Sequence, residues 1–269
     1  MRGFNEARAR KAGRQAVMRI SIARALRPKS ESHSTIFWRP SQNRGYNLRM
    51  RGFVLIPAFN ESERIGRVID GVLRHFAPED VLVVDDGSTD GTGDAARGLG
   101  VRVLRLERNR GKGFALREGF SVAVREGYDF VLVLDADGQH PPERIPGFIR
   151  AAEAADIVIG SRKPFRGMPR PNWLSNRITT LAISLMTRTR VQDSQSGFRL
   201  VKTQVLRAVP LKTARYQTES ELLVKALWRG FRLAHVPVEV IYRGEKSHIR
   251  WTDVPRALLL AIWLMILRS

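Results

Sequence analysis

Five short apolar runs, at Phe53–Ile56, Val81–Val84, Val101–Leu106, Phe130–Leu134 and Ile157–Ile159, recur along the middle of the chain. Between them lie segments of helical period near 61–75, 90–99, 112–126 and 142–154. Runs with little polar alternation suit strands buried on both faces. Strands alternating with helices of this length predict right-handed βαβ units around a parallel sheet. Beyond residue 160 the pattern loosens. A Pro/Arg-rich stretch over 163–171 leads into an amphipathic segment over Trp173–Met186. A polar loop reading QDSQSGFRL, a helix near Glu219–Arg229 and a strand over Ala234–Ile241 follow. The expected class is α/β, a mostly parallel sheet with helices on both faces, built from residues 50–250.

Both ends depart from that regularity. Residues 1–49 hold 12 Lys/Arg against 2 Asp/Glu and have no sustained period. They read as a basic, disordered extension, with a basic helix over about 6–26 as the other reading. Residues 257–267 form an 11-residue apolar run, short of the roughly 20 residues a membrane span needs. Flanked by Arg250, Arg256 and Arg268, residues 251–269 are expected as an interfacial helix beside a lipid; a buried helix or an oligomer contact is the alternative.

Charge changes the picture further. The 46 Lys/Arg against 26 Asp/Glu leave a net +20, which directs the search to phosphates, nucleic acid or an anionic membrane surface. No nucleic-acid module is recognisable. The absence of cysteine excludes disulfides, thiolate catalysis and Cys-type zinc sites. The apolar stretch Ala16–Leu26 is broken by Arg19 and Arg24, so no secretory signal is visible and a cytoplasmic setting is expected.

Against this basic background, VLVVDDGSTD (Val81–Asp90) and VLVLDADGQHPPE (Val131–Glu143) each end a buried run in paired carboxylates. Ligands of parallel α/β sheets bind at the carboxyl ends of strands. In an extended segment Asp135 and Asp137 point to one side, and Gly138 allows the chain to turn. Crowded carboxylates repel one another unless one stays protonated. A hard cation, Mg²⁺ or Mn²⁺, removes that conflict, held by one or two carboxylates and a substrate diphosphate. The other reading is that these residues cap turns and helices. Around Lys112, NRGKGFALREGF has glycines without P-loop or GxGxxG spacing, so a turn before a helix and a ligand contact both stay open. His75 and His235 are expected in the core, and His140 behind the acidic pair.

Six segments occur in one order: IPAFNE (Ile56–Glu61), VVDDGSTDGT (Val83–Thr92), NRGKGFA (Asn109–Ala115), DADGQHPPE (Asp135–Glu143), GSR (Gly160–Arg162) and DSQSGFRL (Asp193–Leu200). Together they resemble family-2 glycosyltransferases of the GT-A fold, over roughly 52–250. The subgroup is similar to dolichol-phosphate mannosyltransferase and bacterial polyprenyl-phosphate glycosyltransferases. The resemblance implies a nucleotide-sugar donor (GDP-mannose or UDP-glucose), inversion at the anomeric carbon and no covalent enzyme intermediate. By position it implies that Pro57, Phe59 and Glu61, with Asp85 or Asp86, line the nucleoside pocket. Asp135, Asp137 and Gln139 would hold the metal, with Asp137 catalytic. Arg162, Arg170 and Ser175 would meet an acceptor phosphate, over which Arg199 would close. The subgroup often continues into transmembrane helices, unlike the apolar run seen here. The Gln-x-x-Arg-Trp motif of processive synthases is missing.

Transfer to a hydroxyl requires a general base, whereas a phosphate monoester is already anionic near neutral pH. Arg162, Arg166, Arg170 and Arg177 favour the phosphate, because guanidinium suits its geometry; a solvated basic loop is the plainer reading. Glu219 or Glu221 would be the base for a hydroxyl acceptor. The expectation is therefore a metal-dependent transferase acting on a polyprenyl phosphate from the inner membrane face, alone or with an oligomeric or membrane-protein partner. A hydroxyl acceptor in the cell envelope is the alternative, and a non-catalytic basic nucleic-acid- or membrane-binding protein a remote one.

Overall fold

The structure is a computed structural model and describes residues 50–162, 170–213 and 217–239, with residues 170–175 described by backbone alone. The extension at 1–49, the apolar run at 257–267 and Arg166 lie outside the described residues, as do the side chains of Arg170 and Ser175.

The elements follow the chain in the predicted alternation. They are β1 (Gly52–Ala58), α1 (Ser62–Leu73), β2 (Val81–Asp85), α2 (Thr92–Gly98), β3 (Arg102–Arg105), α3 (Lys112–Arg125) and β4 (Phe130–Val133). Next come α4 (Ile145–Ala151), β5 (Ile157–Arg162), α5 (Arg170–Thr187), β6 (Arg199–Lys202), α6 (Thr203–Ala208), α7 (Gln217–Trp228) and β7 (Leu233–Val238). The sheet order is β3-β2-β1-β4-β6-β5-β7. Strand β1 pairs in parallel with β2 and β4, while β6 runs antiparallel between β4 and β5. The all-apolar run of β1 fits this central place, since Phe53 to Ile56 are fully buried. Helix α1 buries Ile65, Val68, Ile69 and Val72, the i, i+3, i+4, i+7 stripe of a helix lying on a sheet.

The sheet is mostly parallel, as expected, and its one antiparallel strand among the described residues, β6, begins within the segment read as a polar loop. That strand is four residues long and opens on a buried arginine, so it has no apolar run to betray it. The helix expected over 142–154 divides into a 3-10 turn at Pro142–Arg144 and α4, since proline lacks the N–H that a continuous helix requires. His75 and His235 are half-buried at the margin of the fold rather than in its core.

Candidate functional site

The parallel strands β1, β2 and β4 end on one rim. Register pairs Ala58 with Asp85 and Leu55 with Val133, so the two acidic segments stand two strands apart, on the order of 10 Å. Past β4, Leu134 and Ala136 are buried while Asp135 and Asp137 alternate with them on the other side. Gly138, at φ 75°, supplies the left-handed turn, and the Gln139 N–H donates to Asp137 Oδ1 at 2.9 Å.

The two carboxylates are not equivalent. Asp135 lies 2.6 Å from Lys112 Nζ and 3.6 Å from His140 Nε2. Burial pushes its carboxyl up, but the Lys112 charge and His140 outweigh burial and hold it well below the usual carboxylate range. Lys112 is raised in turn: burial works against its charge, and Asp135 and Glu219 overcome that effect. Among the described residues Asp137 has no such ion-pair partner. Burial, then the Asp135 charge, push its carboxyl up. The electrostatic conflict expected of the pair is therefore concentrated on Asp137.

Helix α3 delivers Lys112 because Asp86 fixes its start. Both Asp86 oxygens accept main-chain N–H groups, from Arg110 and Gly111, at 2.7 Å each. Lys112 also stands 3.4 Å from Glu219 of α7, and Glu219 stands 3.5 Å from Arg199 of β6. A chain of alternating charge, Asp135–Lys112–Glu219–Arg199, thus ties four elements together beneath the rim.

Several assigned roles change with this geometry. Asp85 is fully buried, accepts from the Ser88 N–H at 2.8 Å and lies 3.6 Å from Arg105. Asp85 and Asp86 act as anchors for their loops, and Pro57 is buried as well. Of the nucleoside-pocket candidates, Phe59 is exposed (44 %), while the Glu61 side chain is mostly covered and ion-paired with Arg64. Their loop is laced to DGST: Asn60 N–H donates to Ser88 Oγ, Thr89 N–H to Asn60 Oδ1 and Glu61 N–H to Thr92 Oγ1. Arg199 does not project over an acceptor. It is 2 % exposed, and its guanidinium donates to the carbonyls of Ser194, Ser196 and Glu219. Glu221 is no free base, since it pairs with Lys225 and accepts from the Lys212 and Thr213 N–H groups.

Two residues that sequence reasoning left without a role prove central. Asp193 holds Arg162 through two hydrogen bonds of 2.5 and 2.9 Å and accepts from Asn176. Gly197 lies so close under β4 that a Cβ there would stand 2.0 Å from Asp135 Oδ2. An Asp–Arg pair 31 residues apart has no periodic signature in the sequence. The glycine of SGFR was visible, but its neighbour was not.

Among the described residues no three His, Cys, Asp or Glu side chains converge as a metal cluster. The donor set still fits a hard cation. Among the described residues Asp137 accepts a single N–H, and with Asp135 and Gln139 two positions to either side it would offer the oxygen ligands such an ion takes.

Residues 53–212 match the family model for Glycosyl transferase family 2. The chain is 36 % identical over 208 residues to the undecaprenyl-phosphate mannosyltransferase of Micrococcus luteus, covering 72 % of this chain and 85 % of that protein. It is 34 % identical over 205 residues to the polyprenol monophosphomannose synthase of Mycolicibacterium smegmatis, covering 70 % and 76 %. Among solved structures it is similar to glucosyl-3-phosphoglycerate synthase from Mycobacterium tuberculosis, crystallised with Mn²⁺, uridine diphosphate and glucosyl-3-phosphoglycerate. The TM-score there is 0.65 at 25 % identity, over 79 % of this chain and 80 % of that one.

Proposed function

The chain belongs to glycosyl transferase family 2, and from that premise we propose that it transfers a hexose, mannose or glucose, from GDP-mannose or UDP-glucose to a polyprenyl phosphate at the cytoplasmic membrane face. It is a glycosyltransferase of GT-A type; donor, acceptor and site roles are the proposal. One observation carries the reading: among the described residues, Asp137 is the rim carboxylate with neither a cation within ion-pair distance nor more than one N–H to accept. Asp137 with Asp135, and Gln139 beside them, would hold Mg²⁺ or Mn²⁺. Bound there, the ion would supply positive charge against the departing nucleoside diphosphate.

The protein's own groups do the rest. Phe59 and Glu61 flank the nucleoside, and Lys112 keeps Asp135 ionised. The acceptor end lies toward Arg162 and the start of α5, where Arg170 and Ser175 belong. A phosphate monoester attacks as an anion, so inversion at the anomeric carbon needs no proton acceptor. Glu219, buried between Lys112 and Arg199, is poorly placed to serve as a base for a hydroxyl. The names of the relatives support the lipid acceptor.

The test is incubation of the full chain with radiolabelled donor, Mn²⁺ and polyprenyl phosphate, followed by organic extraction. Label in the organic phase is the expected result. Label confined to the aqueous phase rejects the lipid acceptor and favours a hydroxyl one.

A further inference from the structure

The loop after β1 is fastened to the loop after β2 at closely spaced points. The Ala58 carbonyl accepts the Asp86 N–H at 2.8 Å. The Asn60 N–H donates to Ser88 Oγ at 3.0 Å, the Glu61 N–H to Thr92 Oγ1 at 2.8 Å and the Ser62 N–H to Asp90 Oδ2 at 3.0 Å. Thr92 and Asp90 thus satisfy N–H groups at the start of α1 from a separate loop. Phe59 lies between the first two anchors. Its main chain is bracketed on both sides, yet its ring is nearly half exposed.

Asn60 closes the clasp with its side chain as well. Its Oδ1 accepts the Thr89 N–H at 3.0 Å, so one residue both gives and takes a bond across the same gap. It does so at φ 55°, a left-handed conformation that asparagine adopts more readily than most side chains. A turn alone would need only that φ, which glycine supplies without strain. The Oδ1 bond is an addition to the turn. The far side of the clasp is itself anchored, since Ser88 is buried and Arg105 donates to its carbonyl at 2.9 Å.

An exposed ring on a fixed main chain can stack on a planar partner without first being ordered, which lowers the cost of binding. Every nucleobase offers such a planar face. We propose that Asn60 is a positioning residue of the donor site, clasping the two loops so that Phe59 is held ready to stack on the base of a nucleoside diphosphate. The proposal rests on the nucleotide-sugar donor and deepens that reading.

The test is calorimetric titration of the full chain with GDP and with UDP in the presence of Mn²⁺, for the parent, N60G, S88A, F59A and N60G/F59A. N60G keeps the backbone conformation and loses the Oδ1 bond. Its dissociation constant is expected roughly fivefold above the parent's, the cost of ordering a loosened side chain. S88A opens the same clasp from its other side and should reproduce that loss. F59A should bind about tenfold more weakly, and N60G/F59A no more weakly than F59A alone, because Asn60 acts through that ring. Parental affinity in both N60G and S88A overturns the proposal. So does an N60G loss that persists undiminished in the F59A background, as a general loosening of the fold would give. A parent that binds neither nucleotide overturns the donor reading together with this one, whereas a binding parent with indifferent variants overturns this one alone.

Discussion

Replacing Lys112 by methionine keeps the length of the side chain and removes its charge. Asp135 and Glu219 then stay in place without the ammonium that lies 2.6 and 3.4 Å from them. Breaking a buried ion pair by deleting one partner costs about 3–5 kcal/mol, because the remaining charge is left desolvated. Lys112 and Asp135 keep about a fifth of their side-chain surface, so the lower end of that range applies. For a domain of this size about 3 kcal/mol lowers Tm by roughly 6–12 °C. The pH dependence has a definite sign. In the parent the Asp135 pKa is depressed on folding, so its contribution is present above the unfolded value and lost as pH falls through the folded one. Without Lys112 only His140 opposes burial, so the depression weakens and the desolvated carboxylate left behind is easier to protonate as pH falls. Calorimetric scans of K112M and parent between pH 8 and pH 5 should show the Tm gap narrowing on acidification. Saturating Mn²⁺ should raise Tm more in the variant than in the parent. A gap below about 2 °C, independent of pH, would refute the charge-chain reasoning.

Other expectations are quicker to state. D137N should lose turnover by at least about a hundredfold, yet unfold at or slightly above the parental temperature, since burial disfavours the charge it removes; a lower Tm in scanning calorimetry would contradict the account. G197A forces a Cβ onto a carboxylate that Lys112 already holds, at about 1–3 kcal/mol. Urea melts should show that cost shrinking in a D135A background, and strict additivity would mean the two residues do not meet. His235 accepts a hydrogen bond from the Gln192 N–H at Nε2, and burial lowers its pKa. Its contribution is therefore present above the unfolded value, about 6.5, and lost as pH falls below it. H235Q, which keeps an acceptor that does not titrate, should flatten Tm against pH between 7.5 and 5.5.

What the sequence disclosed and what it hid follow from one distinction. Burial repeats along a chain, so the apolar runs of β1, β2 and β4 and the stripe of α1 were legible, as was the gathering of acidic residues where those strands stop. Pairing between distant elements does not repeat. Nothing near VLVLDADG announces that Lys112, 23 positions back, neutralises the first carboxylate and leaves the second exposed to its own repulsion. The same holds for Arg199. Its motif suggested a hand reaching out over substrate, whereas three main-chain carbonyls and Glu219 draw the guanidinium inward. A buried arginine at the head of β6 also explains why that strand escaped notice, for the residue that disguises it as a loop is the one that fastens SGFR beneath Asp135. The fold of this site and its electrostatics are thus one construction. The antiparallel strand sets Arg199 against α7, α7 sets Glu219 against Lys112, and Lys112 settles which aspartate, among the described residues, is left without a cation beside it.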